Sequence, residues 1–187
     1  MQTQTRSDAV LASAAEPVRV VMPSPIGVLG VELLGTAVTR LVIEPSEAER
    51  SGFLPLHHLA ELVGLAGSDF LDEVFGRLAE YFAGARRKLE LEFDLGLSGL
   101  GLFERRVLKE TAKIPYGRTR TCQGMAEASG RPGCCHEVLA VLLGNPIPIV
   151  IPCHRVIGDD GEPGEYVGGS HRKRWLLELE RQALESS

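Results

Sequence analysis

The residues best suited to chemistry lie in one short segment, residues 151–157, which reads Ile-Pro-Cys-His-Arg-Val-Ile. Cys153 is followed directly by His154 and Arg155, and the flanking residues are apolar. A thiol is a strong nucleophile only as the thiolate, and a neighbouring imidazole and a cation both favour that form. The segment therefore predicts a reactive cysteine whose pKa is lowered by His154 and Arg155. A Cys-His pair alone is a weak signal, because a buried cysteine usually serves as inert packing.

The surrounding sequence strengthens this prediction. Residues 145–157, Asn-Pro-Ile-Pro-Ile-Val-Ile-Pro-Cys-His-Arg-Val-Ile, resemble the active-site signature of the 6-O-alkylguanine-DNA alkyltransferases, the methylated-DNA–protein-cysteine methyltransferases. The resemblance is clear over residues 99–180 and looser over 18–95. Three more motifs lie at family-like spacing: Ile114-Pro115-Tyr116-Gly117, Tyr166-Val167-Gly168-Gly169 and Trp175-Leu176-Leu177-Glu178-Leu179-Glu180.

The resemblance implies a single-turnover reaction. Cys153 would accept an alkyl group from 6-O-alkylguanine in DNA, and the resulting thioether is stable, so each protein molecule repairs one base. His154 would be the general base, acting through a water, and Glu180 would orient the imidazole. Asn145 would bridge the recognition helix to the active-site segment. Without the resemblance, Glu180 is a solvated helix residue, Asn145 is a helix cap and Arg155 belongs to a structural salt bridge.

The same resemblance assigns the contacts with the substrate. Val156, Tyr166 and Val167 would line the guanine pocket, Pro148 would shape its loop, and Arg155 would contribute charge near it. The target base must leave the duplex stack to reach the thiol.

Two positions depart from the family pattern. Cys122 stands where the family has a tyrosine that crowds the phosphate, and His136 where an arginine fills the vacated stack. Both changes spare the thiol chemistry, so we expect slow base flipping, weaker DNA binding or another preferred substrate, such as a larger adduct or the free base. The adjacent Cys134 and Cys135 are interpreted as small helix residues packed inward, with redox sensing or metal binding as the alternative.

Hydrophobic periodicity predicts the elements that position these residues. Predicted strands cover Val18–Met22, Val28–Leu34, Val38–Ile43 and Leu89–Leu95. Predicted helices cover Asp69–Phe82 with Ser68 as N-cap, Phe103–Lys113, Gln123–Ser129, Cys134–Leu143 and His171–Leu184. Inward-facing residues are expected to be Phe103, Val107 and Leu108 on one helix and Trp175, Leu176, Leu179 and Ala183 on the last. The two helices around Gly130-Arg131-Pro132-Gly133 have a helix-turn-helix outline.

The expected fold is an α/β half followed by a mostly α half. After a disordered tail, residues 1–16, the resemblance implies a ribonuclease-H-like support domain over 17–98. A helical winged helix-turn-helix DNA-binding domain with the active-site cysteine would occupy 99–187, after a linker at Leu97-Ser98-Gly99-Leu100-Gly101.

Composition bounds the remaining choices. The 187 residues are 44% hydrophobic, and no apolar run approaches the length of about 20 residues that a membrane span needs. Residues 1–100 hold eight basic and fourteen acidic residues and residues 101–187 hold twelve and eleven, so any DNA-binding face must be local. The four cysteines match neither a disulfide framework nor a zinc site. We expect a cytoplasmic monomer that binds double-stranded DNA containing 6-O-alkylguanine, with no cofactor, no metal and no membrane.

Two alternatives were weighed against the alkyltransferase. Alkyltransferase-like proteins flag lesions without repairing them, but those relatives lack the acceptor cysteine, which is present here as Cys153. A Cys-His hydrolase would bring its cysteine and histidine together from distant segments, whereas these two are adjacent in sequence. Cys153 therefore favours the alkyltransferase.

The departure at His136 yields a direct prediction. A His136→Arg variant should repair 6-O-methylguanine in duplex DNA faster than the parent, because arginine is longer and always charged. Single-turnover repair rates of the two proteins, measured side by side, test this. If the parent and the variant both repair the duplex at the same rate, and that rate is typical of an efficient repair protein, the expected defect in DNA handling is contradicted.

Overall fold

The structure is a computed structural model that describes residues 17–56, 68–95 and 99–185. Residues 1–16 and the linker residues Leu97 and Ser98 lie outside the described residues, as does the side chain of the expected N-cap Ser68. The chain divides into two compact units between Asp94 and Leu95. The finer domain bounds expected from the sequence stay a prediction.

The first unit is built on a four-stranded sheet. Strands β1 (Val18–Ser24) and β2 (Gly27–Leu34) form an antiparallel hairpin, and β3 (Ala37–Ile43) extends it. A short strand, β4 (Leu54–Pro55), pairs in parallel with β1, so the order is β3-β2-β1-β4. The strands alternate buried and more exposed residues, which places one face on the core. The buried members include Val20, Met22, Leu29, Val31, Leu33, Val38 and Leu41.

Two helices with described bounds belong to this unit. The short helix α1 (Glu47–Arg50) is closed by a capping box in which Ser46 and Glu49 bond each other's backbone N–H groups. The longer helix α2 (Ser68–Phe82) follows the predicted apolar spacing, and all five predicted positions are buried: Leu71, Val74, Phe75, Leu78 and Phe82. The core of the first unit therefore lies between the sheet and α2.

The predicted strand Leu89–Leu95 is wrong. This segment makes a single bridge, between Phe93 and Val38, with Val38 N–H donating to Glu92 O at 2.9 Å and Asp94 N–H to Val38 O at 3.2 Å. Glu90 has a φ of 51°, which lies in the left-handed region and interrupts an extended strand. The alternating apolar pattern was therefore outweighed by a local break in the backbone.

The second unit is mostly helical. Its helices are α3 (Leu102–Ala112), α4 (Cys122–Ala128), α5 (Cys135–Leu143) and α6 (Ser170–Glu185). Between them lie a 3-10 turn, Cys153–Arg155, and a two-stranded parallel pair, β5 (Arg120–Thr121) and β6 (Val156–Ile157). Helix α3 packs on α4, α5 and the 3-10 turn, and α6 also contacts that turn. Cys153 therefore lies where the helices converge.

Two of the predicted helix faces need correction. On α3, Val107 and Leu108 are fully buried as expected, but Phe103 is only half-buried, with the Arg131 guanidinium 4.5 Å above its ring. On α6, Trp175 is 37% exposed, and the buried positions are Lys173, Leu176 and Glu180. The buried face of α6 is thus partly charged, which an apolar pattern could not reveal. Among the described residues, no helix has the length and apolar character to cross a membrane.

A pair of glycine-to-alanine changes tests the packing of the first unit. Gly76→Ala on α2 meets nothing within 4 Å and should stabilise this unit by about 0.5–1 kcal/mol through helix propensity. Gly30→Ala on β2 would place a Cβ 2.8 Å from the Phe53 ring, and should destabilise it by about 1–3 kcal/mol. Urea unfolding followed by far-UV circular dichroism measures both, and shifts of the same sign would contradict this packing.

Candidate active site

A buried carboxylate, that of Glu180 on α6, holds the centre of the second unit together. Glu180 is 0% exposed, which excludes its interpretation as a solvated helix residue. Its Oε1 lies 2.9 Å from His154 Nε2, and its Oε2 accepts a hydrogen bond of 2.8 Å from Gly117 N–H. Arg155 completes the set, so one side chain joins α6, the 3-10 turn and the loop before β5.

Arg155 binds Glu180 through the edge of its guanidinium that carries Nε and Nη2. Nε donates to both carboxylate oxygens, at 3.1 and 3.0 Å, and Nη2 donates to Oε1 at 2.8 Å. Nη1 donates to Ile114 O at 2.7 Å, and the Tyr116 ring lies 5.6 Å from the guanidinium carbon. Arg155 therefore forms the structural salt bridge that was one of its two interpretations.

The Ile-Pro-Tyr-Gly motif has a structural explanation in these contacts. Gly117 adopts a φ of 65°, where side chains are strained, and a Cβ there would lie 2.2 Å from Leu184 Cδ1. This conformation turns the Gly117 N–H toward Glu180, while Ile114 supplies a carbonyl and Tyr116 a ring to Arg155.

The pKa values of Glu180 and His154 follow from burial and pairing. Burial alone would raise the pKa of Glu180, but hydrogen bonds and charge from His154 and Arg155 lower it to about 2. Burial lowers the pKa of His154 more than Glu180 raises it. The resting imidazole is therefore neutral, its Nε2–H donates to Glu180, and Nδ1 is left as the basic nitrogen.

Asn145 ties Cys153 to the segment that precedes it. Its Nδ2 donates to Ile151 O at 2.9 Å and to Cys153 Sγ at 3.0 Å, and its Oδ1 accepts from Ile147 N–H at 3.1 Å. Gly144, not Asn145, occupies the C-cap position of α5. The Asn145 side chain thus fixes the shape of the loop that presents the thiol.

The same loop carries backbone strain. Ile149 has a φ of 75°, which is a genuine outlier for a β-branched residue and costs about 1–2 kcal/mol. The bonds of Asn145 on either side, together with Ile151 N–H donating to Ile147 O at 2.9 Å, hold this conformation in place.

The Cys153 thiol is 2% exposed, and the expectation of a lowered pKa is wrong for the resting protein. Burial raises the pKa of Cys153 to about 11. The groups that oppose burial are the Asn145 hydrogen bond, the charge of Lys173 and the backbone N–H groups of Cys153 and His154. The Arg155 guanidinium is bonded to Glu180 instead of to the thiol. The thiol is therefore protonated at neutral pH until something promotes its ionisation.

A loop before α6 lies beside the imidazole of His154. Tyr166 is 6% exposed, its ring stands edge-on to His154 at a centroid distance of 6.3 Å, and burial raises its pKa. Its hydroxyl has no hydrogen-bond partner among the described residues. Lys173, 3% exposed on α6, donates to Glu165 O at 3.1 Å and so anchors this loop.

The other expected site residues fall into two groups. Pro148 and Val156 are buried beside the thiol loop, whereas Val167 is 40% exposed. His136 is exposed on the first turn of α5. Cys122 is buried, and its thiol donates to Cys135 O at 3.3 Å instead of facing solvent.

Lys173 is the main residue that the sequence analysis missed. It lies seven positions before Glu180 on the same helix, a spacing that places both residues on one face. The sequence did hold a signal for this residue, because Lys173 and Glu180 both lie on the helix face that was predicted to be apolar. The motif at residues 114–117 marked this segment, but nothing in it indicated that the Ile114 carbonyl and the Gly117 N–H would make the contacts.

Comparison with known proteins agrees with this geometry. The family model described as 6-O-methylguanine DNA methyltransferase, DNA binding domain, matches residues 102–182. A methylated-DNA–protein-cysteine methyltransferase of Mycobacterium leprae is 37% identical over 168 residues, which cover 89% of this chain and 93% of that protein. One of Methanosarcina barkeri is 43% identical over 116 residues, or 62% of this chain and 71% of that protein.

Solved structures show the same relationship. The crystal structure of Mycobacterium tuberculosis OGT in complex with DNA aligns with a TM-score of 0.73 and 35% identity, covering 88% of this chain and 93% of that one. The O6-methylguanine-DNA methyltransferase of Pyrococcus kodakaraensis aligns with a TM-score of 0.58 and 25% identity, covering 88% and 99%. With such identity across nearly its whole length, this chain belongs to the methylated-DNA–protein-cysteine methyltransferase family.

Proposed function

We propose that this protein repairs DNA by transferring an alkyl group from the 6-oxygen of guanine to Cys153, in a reaction that consumes the protein. The observation that carries the proposal is the buried thiol held at 3.0 Å by Asn145, beside a neutral histidine whose other nitrogen faces a buried carboxylate. In the reaction the Cys153 Sγ–carbon bond forms while the carbon–oxygen bond to guanine breaks. The released guanine gains a proton, and the thioether persists.

His154 and Glu180 act on the proton of the thiol. Because burial lowers the pKa of His154, the imidazole is neutral and ready to accept that proton, directly or through a water. Glu180 then stabilises the imidazolium through the 2.9 Å contact with Nε2. Arg155 offsets the charge of Glu180 and keeps its carboxylate ionised, which is a positioning role.

The raised pKa of Cys153 has a consequence for the order of events. A thiol with a pKa of about 11 is almost entirely protonated at neutral pH. Ionisation must therefore accompany entry of the base and proton transfer to His154. A protonated thiol of this kind reacts slowly with alkylating agents in solution. Alkyl transfer begins only when a substrate fills the pocket bounded by Val156, Tyr166 and Val167.

The partner is DNA. For the route of the base to the thiol, we propose entry from the duplex by base flipping, with α4 and α5 acting as a helix-turn-helix in the minor groove. The turn between these helices contains two glycines in the left-handed region, Gly130 and Gly133, which supports this interpretation. The first unit would be the ribonuclease-H-like support, the β5–β6 pair part of a winged second domain, and the protein a monomer acting on 6-O-alkylguanine in double-stranded DNA.

Intact-mass spectrometry tests the reaction. After incubation with a duplex that carries one 6-O-methylguanine, the chain should gain one methylene mass stoichiometrically, and a Cys153→Ala variant should gain none. A Cys134→Ala variant, which removes a half-exposed thiol outside the site, is the matched control and should react like the parent. A gain that survives in Cys153→Ala would overturn the assignment of the acceptor.

Free 6-O-benzylguanine in parallel separates chemistry from DNA handling. Transfer from the free base but not from DNA would locate the defect at Cys122, His136 and α5. Binding to the damaged duplex with no transfer from either substrate would replace the repair function with lesion binding.

A second prediction concerns Lys173, the buried cation whose charge favours the Cys153 thiolate. A Lys173→Met variant should lower the first-order rate of transfer from free 6-O-benzylguanine by about tenfold, the factor for one unit of thiol pKa. The substrate concentration for half-maximal rate should change little. Lys173→Arg, which keeps the charge, should retain most of the rate.

These two variants distinguish electrostatics from loop anchoring, since Lys173 also donates to Glu165 O. Equal losses of rate in both variants, or a change confined to apparent affinity, would assign Lys173 a structural role alone.

A further inference from the structure

Two thiols outside the acceptor site meet at the start of the two helices of the helix-turn-helix. Cys122 is the first residue of α4, and Cys135 is the first residue of α5. The Cys122 thiol donates to Cys135 O at 3.3 Å, so it lies directly against the residue that carries the second thiol. All four cysteines of the chain are free thiols. Cys134 and Cys135, which were expected to pack inward, are both of intermediate exposure.

A carboxylate holds the two helix starts in this arrangement. Asp159 accepts from Gln123 N–H on α4 at 3.1 Å through Oδ1, and its Oδ2 lies 3.9 Å from Cys135 Sγ. Cys135 Sγ also lies 3.5 Å from Gln123 Oε1. The thiols are therefore brought together by a set of contacts between α4, α5 and the segment after β6, and not by one flexible side chain.

We propose that Cys122 and Cys135 form a site of reversible oxidation, at which a hydroperoxide converts the two thiols into an intramolecular disulfide. The pair is separate from Cys153 in sequence and in its contacts, and it joins the first turns of the two helices proposed to contact DNA.

The reaction balances with one hydroperoxide per pair. Cys135, the more exposed thiol, attacks the peroxide, so a sulfur–oxygen bond forms, the oxygen–oxygen bond breaks, and an alcohol or water departs with the thiol proton. Cys122 then attacks the sulfenic sulfur, the disulfide forms and a second water leaves. The thiols together lose two electrons and two protons, and a small thiol reductant returns them.

Exposure and contacts select this pair over the acceptor. Cys153 is 2% exposed and enclosed by its loop, whereas Cys135 reaches solvent. Oxidation of a cysteine follows its accessibility as well as its thiolate character. A modest dose of oxidant should therefore close the Cys122–Cys135 bond while the Cys153 thiol persists.

Closure should affect DNA handling, a consequence that rests on the function proposed above. A disulfide holds the two sulfurs about 2.05 Å apart and so locks the first turns of α4 and α5 to each other. His136 follows Cys135 directly on the exposed side of α5. The loss of freedom between these turns should slow transfer from duplex DNA by about tenfold or more, with transfer from the free base unchanged.

Peptide mapping tests the site without any assumption about function. The reduced chain is treated with hydrogen peroxide and the oxidant is removed. The chain is then unfolded in guanidinium chloride so that buried thiols also react, the remaining thiols are blocked with N-ethylmaleimide, and the digest is analysed by mass spectrometry. We expect a Cys122–Cys135 crosslink, a loss of two hydrogen masses and a blocked Cys153. Cys135→Ser should abolish the crosslink, and the matched control Cys134→Ser should retain it. A crosslink to Cys134 or Cys153, or no intramolecular crosslink, would overturn the proposal.

The functional consequence is measured on the same samples. Oxidised and re-reduced protein are compared for transfer from a 6-O-methylguanine duplex and from free 6-O-benzylguanine. Slower transfer from the duplex alone, restored by reduction, supports the switch, and unchanged transfer from the duplex overturns it. A reduced protein that transfers from neither substrate would contradict the proposed function, while the mapped crosslink would still decide whether the redox site exists.

Discussion

The second unit depends on one buried carboxylate. Glu180 accepts hydrogen bonds from Arg155, His154 and the Gly117 backbone, and these contacts connect three separate chain segments. Removing one partner of a buried ion pair costs about 3–5 kcal/mol, because an unpaired charge remains in the interior. The proposed general base, His154, and the fold of this unit therefore depend on the same carboxylate. The pairing of Arg155 with Glu180 also affects His154. Because the arginine neutralises the carboxylate, His154 can stay uncharged beside it.

Burial of Cys153 acts against ionisation of its thiol. The low-polarity surroundings that exclude water from the alkyl transfer also hold the pKa of the thiol at about 11. Asn145 and Lys173 oppose that penalty without removing it, and the left-handed Ile149 shows that the loop is strained to present the thiol. For a protein that reacts once, such restraint has value, because a permanently ionised thiol would be spent on any available alkylating agent.

Local patterns predicted the elements but not the contacts between them. The hairpin of β1 and β2, the apolar face of α2 and the helices around Cys153 follow from periodicity and from glycine-containing turns. The capping box at Ser46 and Glu49 was a readable signal for α1 that was overlooked. By contrast, the exposure of Trp175 and the burial of Lys173 depend on tertiary packing. Sequence motifs identified Glu180 and Cys153. Only the three-dimensional structure reveals that the backbone N–H of Gly117 donates to Glu180.

The helix expected to enter DNA has an unusual surface. Helix α5 contains no lysine or arginine, its one acidic residue is Glu137, and Leu139 and Leu143 are 38% and 39% exposed. Arg131 precedes it, but lies 4.0 Å from Glu137 and over the Phe103 ring. Contacts of basic residues with phosphate supply most non-specific affinity for DNA. A helix of this composition contributes little of that affinity and offers shape and apolar surface instead.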